Sequence, residues 1–146
     1  MVAEQTASSL VVASAPGRVM KVIADFDNYP GWAKGVRSAK ILSHHTDGRA
    51  REVEFVLDAA PIKDEYVLSY EWEGDERVAW SLVRATMLTS MQGSYTLASL
   101  GNSTEVTYQL AVEVSIPMIG LLKRKAEKVV IDTALRGLKR RVETGG

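Results

Sequence analysis

The spacing of apolar residues changes period twice along the chain, and these changes mark out its elements. "SSLVVAS", residues 8–14, is a short β-branched apolar run that reads as a first strand. Behind it, Val19, Met20, Ile23 and Phe26 recur at helical spacing, with Ser14 as candidate N-cap and Pro16 in the first turn. This helix is expected to end near Asp27. "ADFDNYPGW" then sets Tyr29, Pro30, Gly31 and Trp32 side by side, which allows one more helical turn because Pro30 stands at an early position where a missing N–H is tolerated.

From Val36 the period becomes two. Tyr66, Leu68, Tyr70 and Trp72 share one face, as do Val78, Trp80 and Leu82, and again Val106, Tyr108, Leu110, Val112 and Val114. Such alternation predicts antiparallel strands with one covered face. Asp47-Gly48, Gly74-Asp75 and Gly101-Asn102 are where hairpin turns belong, since these residues tolerate positive φ. A further turn must fall within "RATMLTS", which holds no residue that places it.

After Pro117 the helical period returns for about 24 residues, or about 36 Å at 1.5 Å per residue. Leu122, Ala126, Val129, Thr133 and Gly137 form the stripe expected to be buried, widened by Ile119, Val130, Ala134 and Leu138. A glycine inside a helix costs about 1 kcal/mol relative to alanine. Gly137 therefore implies close approach of a strand or a ligand.

Composition narrows the class. The 146 residues suit one domain, 1–146, and 46% hydrophobic with 25% charged residues is the balance of a folded globular chain. The absence of cysteine removes disulfides and thiol chemistry. The first residues hold Glu4, no basic residue before Arg18 and too short an apolar run for a secretory signal, so a cytoplasmic location is expected. Formal net charge is zero, yet residues 118–143 hold eight Lys or Arg against three acids. A solvated basic helix face explains this excess. Lys123, Arg124 and Lys125 beside "IPMIGLL" would suit an anionic membrane surface, but the same pieces describe an ordinary helix start packed on a sheet, which is the preferred reading.

Reaction chemistry is sparse. There is no G-x-S-x-G elbow and no glycine-rich phosphate loop, and His44 and His45 are strand neighbours that point to opposite faces, so neither a triad nor a metal site is expected. Nucleic acid is not expected as a partner, because the basic residues are not interleaved with exposed aromatics. The pairs Glu52/Glu54 and Glu71/Glu73 fall on the solvent face. Polar residues that share parity with the apolar face are more informative: Arg51, Asp64, Arg84 and Thr89 are candidates for the interior or rim of a pocket.

The order strand, helix, short helix, six strands, long helix, together with "SAPGRVMKVIADFDNYPGW", "GSYTL", "NSTEVTYQL" and "ALRGLKRRVE", resembles the START-like superfamily of polyketide cyclases, lipid-transfer domains and plant pathogenesis-related proteins. The resemblance runs from about Ser8 to Glu143. It implies an α+β helix-grip fold, in which a curved seven-stranded antiparallel sheet wraps a long C-terminal helix, two short helices lie between the first two strands, and an apolar cavity separates sheet from helix. In that frame Phe55, Leu57, Tyr66, Leu68 and Tyr70 are expected to line the cavity. Trp80, Leu82, Met91, Tyr95 and Tyr108 extend the lining across the later strands, and Val129, Val130 and Thr133 close it from the helix. Trp32 either fills the gap beneath the Pro-Gly turn or touches the ligand at the mouth.

Three functions are compatible with this reading. The leading one is binding or carriage of an apolar or aromatic small molecule of lipid, polyketide or isoprenoid-quinone type, without a cofactor. The second is a cyclase or dehydratase using Arg51, Asp64 and Arg84. The third is an adaptor whose core is filled.

Overall fold

The computed structural model describes residues 5–59, 62–115 and 120–144. In chain order the elements are β1 (Thr6–Val12), α1 (Pro16–Ala24), a 3₁₀ helix (Phe26–Gly31), β2 (Val36–His44), β3 (Ala50–Ala59), β4 (Ile62–Glu73), β5 (Arg77–Ala85), β6 (Leu88–Ser99), β7 (Thr104–Val114) and α2 (Gly120–Glu143). The strands form one seven-stranded antiparallel sheet in the order β1-β7-β6-β5-β4-β3-β2. Gly48, Gly74 and Gly101 adopt positive φ at the hairpin turns, as the turn residues predict.

Both N-terminal helices bury the side chains that their period selected. Val19, Met20 and Ile23 of α1 are buried, but the cap is Ala15 and not Ser14. The Ser14 N–H donates to the Val12 carbonyl at 2.8 Å, and its own carbonyl accepts from Thr104 Oγ1 at 2.7 Å, so Ser14 is engaged in the turn. The helix stops at Ala24, short of Asp27, because Asp25 leaves helical geometry with φ −88° and ψ 72°. In the 3₁₀ helix the Tyr29 hydroxyl donates back to the Ile23 carbonyl at 2.5 Å, and the Trp32 and Ala33 N–H groups both donate to the Tyr29 carbonyl. Tyr29 thus binds the two helical pieces into one unit.

The α2 helix packs on β1, β7 and α1. Its buried row is Glu127, Ile131, Leu135, Leu138 and Val142, with Gly137 beside it. This corrects the expected stripe: Val129 and Val130 are 60% and 49% exposed. The cause is Glu127, whose charge interrupts the apolar row that actually docks. Its carboxylate accepts from Thr6 Oγ1 at 2.6 Å and from the Val112 N–H at 2.7 Å, which ties the helix to both underlying strands. Residues 116–119 and the side chain of Leu122 lie outside the described residues.

The opposite flank of α2 closes the sheet edge. Lys139 Nζ donates to the Val11 carbonyl at 2.8 Å and Glu143 accepts the Ala13 N–H at 2.9 Å, which satisfies backbone groups at an edge strand that would otherwise be open to pairing. Gly137 explains itself as well. A Cβ there would collide with the Trp32 carbonyl oxygen, so the close approach is that of the residue ending the 3₁₀ helix, neither strand nor ligand.

The turn that the sequence left unplaced is Thr86-Met87, between β5 and β6. It is held from a distance. The Asp64 carboxylate, on β4, accepts the N–H groups of Thr86, Met87 and Leu88 at 3.0, 2.9 and 2.9 Å. Burial pushes the pKa of Asp64 up, but the hydrogen bonds from Leu88, Thr86, Met87 and Glu65 together outweigh burial and hold it below its ordinary value.

Two stability outcomes follow from these contacts. Gly137→Ala should destabilise the fold by about 1–2 kcal/mol in chemical denaturation, because crowding against Trp32 exceeds the gain in helix propensity; a stabilised variant would contradict the contact. Asp64→Ala should cost about 2–3 kcal/mol at neutral pH, since three backbone donors lose a charged acceptor. A lowered folded-state pKa means that the contribution of Asp64 is present above its ordinary value near 3.8 and is lost as pH falls through the lower folded value. The difference between wild type and Asp64→Ala should therefore shrink in acid.

Candidate functional site

Cross-strand neighbours on the concave face are aromatic in pair after pair. Phe55 stands opposite Tyr66, Tyr70 opposite Trp80 and Tyr95 opposite Tyr108, with ring centroids 5.4, 5.8 and 4.6 Å apart. Trp80 joins these pairs into one chain, lying 5.4 Å from Tyr95 and 5.5 Å from Tyr108. Its cross-strand partner on β6 is Gly93, where a Cβ would come within 2.5 Å of the indole. Only glycine at position 93 leaves room for the ring to lie against the sheet.

The chain of rings continues into the helices. Phe26 lies 4.9 Å from both Tyr70 and Tyr29, and Tyr29 lies 4.8 Å from Trp32. With Trp72 against Tyr70, every one of the 3 Trp, 5 Tyr and 2 Phe residues belongs to the same contact network.

The five tyrosines differ in how their hydroxyls are used. Tyr29 donates to Ile23, whereas Tyr66, Tyr70, Tyr95 and Tyr108 have no hydrogen-bond partner among the described residues, although each is more than nine-tenths buried. The sealed and unpartnered side-chain polar atoms among those residues are Trp32 Nε1 and Ser43 Oγ. The four tyrosine oxygens are therefore not sealed: each keeps surface that a water molecule can reach. Burial pushes the pKa of all five phenols up, and nearness to one another adds to the rise at Tyr29, Tyr66, Tyr70 and Tyr95. Four donors without a partner among the described residues thus lie within buried, largely aromatic surroundings.

The remaining expected residues fall into three groups. Leu68 is buried with the rings, and Leu57, Leu82, Met91 and Trp32 are half-buried against them. On α2, Thr133 and Val130 lie one and two turns before Gly137 on the side that meets Trp32, whereas Val129 turns to solvent. The Trp32 side chain is half-buried with its Nε1 sealed and unpartnered, and it is the backbone carbonyl of Trp32 that meets Gly137.

Three of the four polar candidates stay outside the interior. Register shifts fall at Arg51 in β3, at Val83 beside Arg84 in β5 and at Thr89 in β6; an extra residue on one strand resets the in-out alternation, and all three polar side chains are exposed. Asp64 is buried, but its oxygens are engaged by the β5–β6 turn. Glu127, the other buried acid among the described residues, is occupied by Thr6 and Val112. Sequence reasoning named Tyr66, Tyr70, Tyr95 and Tyr108 as lining but missed the ring network that joins them; the available signal was that every tyrosine after the helices falls at inward parity.

Other sites offer less. His45 donates from Nε2 to the Tyr70 carbonyl at 2.7 Å, which fits a hairpin-end histidine, and His44 is exposed. No group of three metal-ligating side chains occurs among the described residues, and no helix among them is long and apolar enough to cross a membrane. Two surface grooves of about 480 and 490 Å³ lie beside Arg37–Asp58 and Arg49–Asp75, whose charges already pair at 2.8 and 2.7 Å. Neither groove is lined by a tyrosine.

Known structures share this architecture. A START superfamily protein from Mycobacterium smegmatis is 20% identical, with a TM-score of 0.92 over 99% of this chain and 100% of that one. A protein from Thermus thermophilus is also 20% identical, with a TM-score of 0.81 over 98% and 99%. The Zhui aromatase/cyclase from a Streptomyces species is 15% identical, with a TM-score of 0.75 over 98% of each chain. At these identities the likeness establishes the helix-grip fold alone. No curated protein matches the sequence. The family described as "Polyketide cyclase / dehydrase and lipid transport" matches residues 4–143, and the chain belongs to that START-like family.

Proposed function

We propose that the protein binds or carries an apolar or aromatic small molecule against the ring-lined concave face, between the sheet and α2. The observation that carries this reading is the set of four deeply buried tyrosines whose hydroxyls have no hydrogen-bond partner among the described residues. A core built only for packing gains nothing from such groups, since an unmet buried donor costs about 1–3 kcal/mol. A bound molecule would meet them. Covering about 200 Å² of apolar ligand surface supplies about 5 kcal/mol before the cost of association. Family membership and the fold likeness to an aromatase/cyclase are consistent with a ligand held in this place.

Binding is favoured over cyclisation because Arg51 and Arg84 face solvent and the carboxylate of Asp64 is committed to a turn. The half-exposed Val130 and the half-buried Thr133, on the flank of α2 that faces Trp32, supply the helix side of the proposed site.

Tryptophan fluorescence offers the test, since Trp80 sits at the centre of the ring chain. Titration with a panel of polycyclic aromatics, isoprenoids and long-chain lipids should give saturable quenching by at least one class at micromolar concentration, with a smaller amplitude in Trp80→Phe. No saturable response across the panel, together with no co-purifying compound in native mass spectrometry, would contradict the proposal.

A further inference from the structure

We propose that the outward face of α2 docks flat on an anionic membrane surface, whatever the concave face holds. The acids of α2 are all engaged elsewhere: Glu127 reaches inward to Thr6 and Val112, Asp132 pairs with Lys128 at 3.0 Å and Glu143 with Lys139 at 2.6 Å. Lys125, Val129, Arg136 and Arg140 follow one another at spacings of four, seven and four residues. On a helix this sets them in one row, turned away from the buried row of Ile131, Leu135, Leu138 and Val142. All four are exposed, and Lys125, Arg136 and Arg140 form no ion pair among the described residues.

A face kept soluble by charge mixes both signs in i,i+4 pairs, as the flank of α2 beside β1 does with Lys128–Asp132 and Lys139–Glu143. The outward row holds one sign only. It extends over about 22 Å at 1.5 Å per residue, and its cations are separated by an apolar site. Val129 is 60% exposed there, beside an exposed Ala126. A plane of anionic headgroups meets the three cations together and lets Val129 reach the acyl boundary. A nucleic acid would meet the cations but offers nothing to the apolar pair between them.

Co-sedimentation of the full chain with vesicles tests the docking. Phosphatidylcholine vesicles with about one-third phosphatidylglycerol should retain the protein at low salt, neutral phosphatidylcholine vesicles should not, and added salt should release it. Arg136→Glu/Arg140→Glu should weaken retention by about tenfold or more. Lys40→Glu/Lys63→Glu changes net charge equally at exposed positions of β2 and β4 and should leave retention within about threefold. Because the chain has no cysteine, Val129→Cys carries a single environment-sensitive fluorophore. Its emission should shift to the blue on anionic vesicles, unlike that of the same label on Ser81→Cys, at an exposed position of β5. No retention by anionic vesicles, equal retention by neutral ones, or equal loss in the two double variants overturns the proposal, as does binding of a polynucleotide in place of vesicles. The carrier reading stands or falls separately, since its titrations use no membrane.

Discussion

The indole of Trp80 fills the space that a side chain at Gly93 would take, and the rest of the concave face is arranged around it. Once that ring lies against the sheet, Tyr70 on one side and Tyr95 and Tyr108 on the other meet it at contact distance. Offset and edge-to-face contacts of this kind add about 0.5–1.5 kcal/mol per pair beyond the area they bury. Their larger effect is geometric. Rings linked from β7 to β4, then through Phe26 to Tyr29 and Trp32, join the sheet to the helical segment that precedes it. The side chains that stabilise the fold are therefore the ones that would touch a ligand.

The placement of α2 completes this arrangement. It lies over β1 and β7, fixed by the hydrogen bonds of Glu127 to Thr6 and Val112 and by the bonds of Lys139 and Glu143 at the β1 edge. On its inner side it meets the 3₁₀ helix where Gly137 admits the Trp32 carbonyl. The buried carboxylates of Asp64 and Glu127 both serve the scaffold, one at a turn and one at a helix–sheet junction. Among the described residues the hydroxyls of Tyr66, Tyr70, Tyr95 and Tyr108 are left without a hydrogen-bond partner.

Much of this was legible in the sequence because two-residue alternation is a local signal. Strand number, hairpin positions and the inward aromatic set all follow from it, and the family resemblance supplied the helix-grip arrangement. The failures have non-local causes. A β-bulge changes the parity of everything beyond it, which is why Arg51, Arg84 and Thr89 were read as inward and are exposed. The turn at Thr86-Met87 is stabilised by a side chain on another strand, so no turn residue marks it. The docking face of α2 contains a glutamate whose partners lie on β1 and β7, and a pattern that counts apolar residues passes over it, which drew Val129 and Val130 into the stripe in place of Ile131 and Leu135.

The account depends on all five phenols being held in apolar surroundings by the ring chain. Ordinary tyrosine ionises near 10.0, and a folded-state pKa raised above that value gives stability that is present below it and lost as pH rises beyond it. Phenolate absorbance and near-ultraviolet circular dichroism followed together through an alkaline titration test this directly. The account predicts no phenolate while the folded signal persists, then five phenols ionising together as it is lost. One or more tyrosines titrating near the ordinary value in the folded protein would contradict it.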